Sequence, residues 1–177
     1  MRRARGFTLI EMILSIMILG LLATAAAMAI HHGTRAALES QTRIDTLSKL
    51  RVATERLTRE IRLMRRDPAT PTDFDILSRS ATDLSFRRLD PNGSSVRTVT
   101  INGAAPPVVT LGYDSPAGTP VLTDQLSAFA ITYWQADGTT VSADNTDLAF
   151  VEINLTLTDS HGNAFAQRSR VGLRNRQ

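Results

Sequence analysis

Arg5-Gly6-Phe7-Thr8-Leu9-Ile10-Glu11-Met12 leads directly into nineteen uncharged residues, Met12 to Ile30, built from Ile, Leu, Met and Ala with one Gly, one Ser and one Thr. As a helix, such a run is close to the roughly 20 residues needed to cross about 30 Å of hydrocarbon. Arg2, Arg3 and Arg5 stand in front of it. Because basic flanks stay on the cytoplasmic side, the N-terminus is expected inside and the long remainder outside the bilayer. An uncleaved signal anchor satisfies this pattern. So does a secretory signal peptide cut at the small residues Ala23 to Ala27.

Glu11 fits neither reading comfortably. A lone carboxylate at the edge of a spanning helix costs about 2.5–3.5 kcal/mol if drawn to mid-membrane, so it either snorkels to the interface or finds a partner. Scission between Gly6 and Phe7 would create that partner, because Phe7 would gain a positively charged α-amino group. In a helical stack of subunits, the amine of one copy would neutralise Glu11 of its neighbour inside a shared apolar core.

Gly6-Phe7-Thr8-Leu9-Ile10-Glu11, the arginine leader and the apolar run together resemble the type III signal of type IV pilins and type II secretion pseudopilins. The resemblance is specific over roughly residues 1–35. It implies that a prepilin peptidase cuts between Gly6 and Phe7 and methylates the new amine of Phe7, and that Glu11 is the carboxylate used in filament assembly. It also implies an inner-membrane, single-pass protein with a periplasmic C-terminal domain that later joins a filament. Pilins often carry a proline midway through this segment. None is present here, and Gly20 is the one weak spot for the helix.

The chain has 177 residues, of which 42% are hydrophobic and 21% charged, a globular composition with room for one domain and an appendage. Lys49 is the sole lysine beside nineteen arginines, and the net charge of +3 is accounted for by Arg2, Arg3 and Arg5. That balance argues against nucleic acid as a partner. Arg168, Arg170, Arg174 and Arg176 are the remaining candidates for a basic stripe. The absence of cysteine excludes disulfides, a thiol nucleophile and thiolate metal sites.

Downstream, the expected fold is α+β: a long N-terminal helix, half membrane-embedded and half amphipathic, packed on an antiparallel β-sheet domain. The divisions expected are a leader over 1–6, a core helix over 7–30, an amphipathic helix over 31–66 and a β-rich periplasmic domain over 67–177. His31-His32-Gly33 is either an interfacial break or part of a continuing helix. Adjacent histidines point about 100° apart on a helix and chelate poorly. From Ala36 to Arg66 the apolar positions Ile44, Leu47, Leu50, Ala53, Leu57, Ile61 and Met64 recur in threes and fours. Arg51, Glu55, Arg59, Glu60 and Arg62 are assigned to the wet face, with Glu55 paired to Arg59. Asp67-Pro68 ends the helix.

Beyond it the period falls to two. A short strand is expected at Phe74 to Leu77, then Leu84 to Arg87 and Val96 to Ile101 around the turn Asp90-Pro91-Asn92-Gly93. Val108 to Tyr113 follows as a strand, and Asp114 to Pro120 as a loop. Val151 to Thr158 alternates strictly and reads as a half-buried strand, paired with Phe129 to Gln135 and Ala164 to Leu173. Ile131 and Tyr133 should face the core.

No nucleophile elbow, phosphate loop or metalloprotease helix is present, so no enzymatic role and no cofactor are expected. Asp144, Asn145 and Asp147 are weak candidates for calcium through oxygen ligands, without EF-hand spacing. A membrane-tethered binding domain would have no need of the Gly6–Phe7 junction or of Glu11. Leu47 to Arg66 and the ending Arg170-Val171-Gly172-Leu173-Arg174-Asn175 resemble J-type minor pseudopilins and W-type minor pilins, the length favouring the J-type. The partners so implied are the prepilin peptidase, other minor and major pseudopilins or pilins, the inner-membrane assembly platform and the lipid bilayer.

Overall fold

The computed structural model describes residues 8–90, 93 and 95–173, which form one helix and nine strands. Helix α1 spans Leu9–Arg62. The chain divides into two units, Met1–Thr42 and Arg43–Gln177.

In the first unit the described chain is helical from Leu9 onward and passes both Gly20 and His31-His32-Gly33 without interruption. Its large apolar side chains have nothing to pack on: Leu9 is 79% exposed and Leu21 63%.

The second unit holds the rest of α1 and the strands β1 Ile76–Arg79, β2 Asp83–Leu89, β3 Val96–Asn102, β4 Val109–Asp114, β5 Ala117–Gly118, β6 Val121–Thr123, β7 Leu126–Trp134, β8 Phe150–Thr158 and β9 Ala164–Gly172. As expected, the strands are antiparallel, and they form two sheets. One is ordered β1-β2-β3-β4-β5 with β6 also on β4, the other β7-β8-β9. The break between them falls at Gln125, which adopts a left-handed φ of 62°. Between Leu126 and Ala128 the β7–β8 register also shifts. Both sheets contribute to one core. Leu50, Ala53, Leu57 and Ile61 of α1 share it with Leu84 and Phe86 of β2, Val99 and Ile101 of β3, and Val151, Ile153, Leu155 and Leu157 of β8.

The buried face of α1 is Thr46, Leu50, Ala53, Thr54, Leu57, Glu60 and Ile61, the three-and-four spacing of a helix covered on one side. Ile44 and Leu47 do not join it. They are 57% and 47% exposed, and Ile44 lies about 180° around the helix from Ala53. Glu60, expected on the wet face, is buried instead.

The helix ends four residues earlier than the Asp67-Pro68 signal suggests. Leu63 and Met64 tighten into bonds to the carbonyls three residues back, Glu60 and Ile61. The chain is then captured by sheet pairing: Met64 bridges Arg88, the Arg65 N–H donates to the Arg87 carbonyl at 3.1 Å, and Arg66 bridges Phe74. That capture occupies Phe74 and Asp75, so the first strand starts at Ile76 rather than Phe74. The loop expected over 114–120 contains the short β5. Ile131 and Tyr133 face the core as expected, and β8 buries its odd-numbered row.

Candidate assembly site

Thr8 stands immediately before α1 and acts as its cap. The Glu11 N–H donates to the Thr8 carbonyl at 3.1 Å and lies 3.4 Å from its Oγ1, and the Met12 N–H donates to the same carbonyl at 3.2 Å. Thr8 and Glu11 have the spacing of a capping box. A carboxylate in the first turn is also favoured by the helix dipole. Glu11 therefore has a local reason to be where it is, in addition to any role in assembly. Its side chain is exposed and has no ion-pair partner among the described residues. Gly6 and Phe7, the expected processing junction, lie outside the described residues. The helix that follows is long and apolar enough to cross a membrane, and none of its most apolar window is buried against the rest of the chain.

Elsewhere the charged side chains are largely paired within the second unit. Asp75 is buried and accepts from Arg65 Nε at 2.7 Å, with Arg87 Nη1 3.6 Å away. Glu60 is held by Arg88 Nε at 3.0 Å and by the Tyr113 hydroxyl at 2.9 Å. The register explains the pair: Leu84, Phe86 and Arg88 share the inward row of β2, and Glu60 shares the inward face of α1 with Leu57 and Ile61. Sequence reading missed this cluster, although the spacing from Leu57 to Glu60 to Met64 placed Glu60 on the buried side.

Glu152 lies on the outer face of β8, yet only 3% of its side chain is exposed, because Arg168 and Arg170 of β9 close over it at 2.7 and 2.8 Å. Burial pushes the Glu152 carboxyl up, and the hydrogen bonds from Arg168 and Arg170 outweigh this and hold it below its ordinary value. Two of the four arginines of the expected basic stripe are thus committed to an internal carboxylate. Arg174 and Arg176 lie outside the described residues.

Asp144, Asn145 and Asp147 fall in the loop after β7. The Asp144 carboxylate is occupied by Thr146, whose backbone N–H donates at 3.0 Å, and those hydrogen bonds lower its pKa. Asp147 accepts from Ser142 Oγ at 2.8 Å and from the Gln135 amide. Among the described residues no three His, Cys, Asp or Glu side chains come together as a metal cluster. His31 and His32 stack edge-on at 6.0 Å, and His161 sits in the β8–β9 turn near Ser160.

Two grooves flank α1 in the second unit. One, of about 650 Å³, is lined by Arg56, Arg59 and Glu60 of the helix with Arg88, Arg97 and Tyr113 of the sheet. The other, of about 410 Å³, lies between Ser48, Lys49 and Val52 and the stretch from Val121 to Asp124. Lys49 Nζ bridges to Asp124 Oδ1 at 2.7 Å there, which lowers the Asp124 pKa.

Residues 1–27 match the prokaryotic N-terminal methylation motif. No curated protein matches the chain. The motif covers the segment in which Gly6, Phe7 and Glu11 lie and implies processing by a prepilin peptidase and assembly with other pilins. The motif match, together with one long N-terminal helix on antiparallel sheets, supports placing this chain with the type IV pilins and pseudopilins.

Proposed function

We propose that the protein is a minor pseudopilin of a type II secretion system, placed at or near the pseudopilus tip, where it initiates filament growth and so serves protein export. In this reading the precursor enters the inner membrane with its N-terminus in the cytoplasm. It is cut between Gly6 and Phe7 and methylated on Phe7. Residues 7–30 then leave the bilayer for the filament core, residues 31–66 continue toward the globular domain, and residues 67–177 lie in the periplasm. The new amine and the Glu11 carboxylate neutralise each other across subunits, since an unpaired charge in an apolar core is costly. Its partners are the prepilin peptidase, the other minor and major pseudopilins, the assembly platform and, before assembly, the lipid bilayer.

The observation that carries this reading is the exposure of every large apolar side chain from Leu9 to Ile30, the stretch that includes Glu11. A surface of that size is covered either by lipid or by neighbouring helices. A minor type IV pilin is the alternative, and the N-terminal segment is common to both. Deleting the gene and scoring exoprotein release and surface pili in parallel separates them. Loss of secretion with pili intact is the expected result; loss of pili with secretion intact assigns the protein to the pilus instead. Glu11→Ala should leave insertion and cleavage intact and impair filament initiation, and normal initiation in that variant would sink the charge-pair role. Gly6→Glu should accumulate uncut precursor, and a mature form of normal size would refute the junction.

A further inference from the structure

The two grooves beside α1 share Val52 and form one channel along the helix. Its wider end sets Arg56, Arg59, Arg88 and Arg97 against Glu55 and Glu60, four positive charges to two negative. Pairing leaves that surplus in a definite place. Glu55 is taken up by Arg51, Glu60 by Arg88 and Arg97 by Asp90. Arg59 has no ion-pair partner among the described residues, and Arg56 has only the Tyr113 phenol and the already committed Glu60 near it. Standing three residues apart on a helix, Arg56 and Arg59 leave it as neighbours.

The floor of the groove supplies a second, independent observation. Arg88 lines it and is only 7% exposed. Its Nε stands 3.0 Å from Glu60 Oε2 without the alignment of a hydrogen bond, and its other N–H groups have no acceptor among the described residues. A buried guanidinium with donors to spare is a costly arrangement unless something accepts from it. The arginines are also held in place. The Tyr113 hydroxyl donates to Glu60 Oε1 at 2.9 Å, Arg56 lies against the same phenol, and Arg88 stands at the other oxygen of Glu60. Donors from the helix and from the sheet thus line one space, with little ordering left to lose when an anion enters.

A surplus of two charges, with donors on three guanidinium groups, matches a phosphate dianion better than a carboxylate, which offers one charge and two oxygens. Beside the arginines, Val52, Leu63 and Pro116 form an apolar shoulder, and the volume of about 650 Å³ is that of a site for a small organic molecule. We propose that this groove binds a soluble organic phosphomonoester, its phosphate on Arg56, Arg59 and Arg88 and its apolar body on Val52, Leu63 and Pro116. The site lies wholly within the second unit. It goes beyond the filament reading above and does not depend on which machine the chain serves.

The full-length chain in non-ionic detergent is titrated calorimetrically with phenyl phosphate, inorganic phosphate, benzoate and dioctanoyl phosphatidate, at a pH above the second phosphate pKa of about 6. Phenyl phosphate is expected to bind about tenfold more tightly than benzoate and about fivefold more tightly than inorganic phosphate or the phosphatidate. Arg56→Gln and Arg59→Gln should each weaken phenyl phosphate about tenfold. Arg62→Gln, at an exposed side chain outside the groove, should leave it within about twofold. An unchanged Trp134 fluorescence spectrum verifies that each variant is folded. No saturable binding of phenyl phosphate, or benzoate binding as tightly, overturns the proposal. So does an equal loss in Arg62→Gln, which would mean general attraction to a basic surface. Tighter binding of the phosphatidate than of phenyl phosphate would assign the groove to a lipid headgroup and overturn the soluble ligand.

Discussion

The two stretches of α1 share a backbone and differ in everything that side chains do. From Leu9 to Ile30 the helix presents Leu, Ile and Met on all sides and buries none of them. From Thr46 onward one arc is fully covered, with Leu57 and Ile61 at 0% exposure, while the opposite arc carries paired charge such as Arg51–Glu55. A helix that is apolar all round is made for a continuous apolar surrounding, whether lipid or other helices. An amphipathic one is made for a sheet on one side and water on the other. The same hydrogen-bond ladder thus serves two solvents: the all-apolar pattern ends at Ile30, and burial on one arc begins at Thr46.

That contrast can be broken by substitution. Leu57→Ala removes a fully buried side chain and should cost about 4 kcal/mol. Leu19→Ala, on the bare stretch, should leave the unfolding of the sheet domain within about 0.5 kcal/mol. Urea titration of the full chain in detergent, followed by Trp134 fluorescence, reads both. Equal effects would mean that the two stretches are not energetically distinct.

Glu60→Ala should come next, at about 3 kcal/mol, because it leaves the buried Arg88 without its counter-charge. Replacing both by Met should recover most of that loss. Gly103→Ala should cost about 2 kcal/mol by overpacking: a Cβ there would sit 2.2 Å from the Phe129 ring, where the two sheets meet. At the small end, Arg51→Ala on the wet arc should leave the urea midpoint unchanged within error, because its pair with Glu55 is fully exposed to solvent.

A pH titration sharpens the same comparison. The Glu152 carboxyl sits below its ordinary value when folded, so its pairing stabilises the protein at neutral pH. The contribution is lost as pH falls below the unfolded value of about 4.3 and through the folded one. Acid unfolding of Glu152→Gln should therefore be shallower in that window than that of the parent chain. Parallel acid curves would remove Glu152 from the account.

Local pattern carried much of this architecture. The strict alternation of Val151 to Thr158 marked β8, and the turn ending in Gly93, whose φ is 68°, marked the hairpin between β2 and β3. The Gly6-to-Glu11 block was legible because its chemistry is concentrated in six residues. What pattern did not carry were decisions made by distant partners. Met64 to Arg66 leave the helix because β2 and Asp75 claim them. Ile44 and Leu47 satisfied the period of the stripe but have no neighbour to meet. Glu60 and Glu152 looked like surface charges because their arginines come from other strands, 28 residues away in one case and 16 and 18 in the other. The groove was illegible for the same reason, being assembled from α1, β2, β3 and β4–β6.

The single lysine, Lys49, gives the molecule a built-in gauge. A lysine-specific protease has one bond to cut, Lys49–Leu50, which separates the segment ending at Lys49 from the one beginning at Leu50. That bond lies inside α1, next to a buried leucine and behind an ion pair to Asp124. A protease needs extended backbone, so cleavage waits for this part of the helix to lift from the sheet. When reclosing outpaces cleavage, the cutting rate reports the population of that opened state. One band splitting into two would then measure, within an intact membrane or filament, how firmly the helix is clasped by its domain.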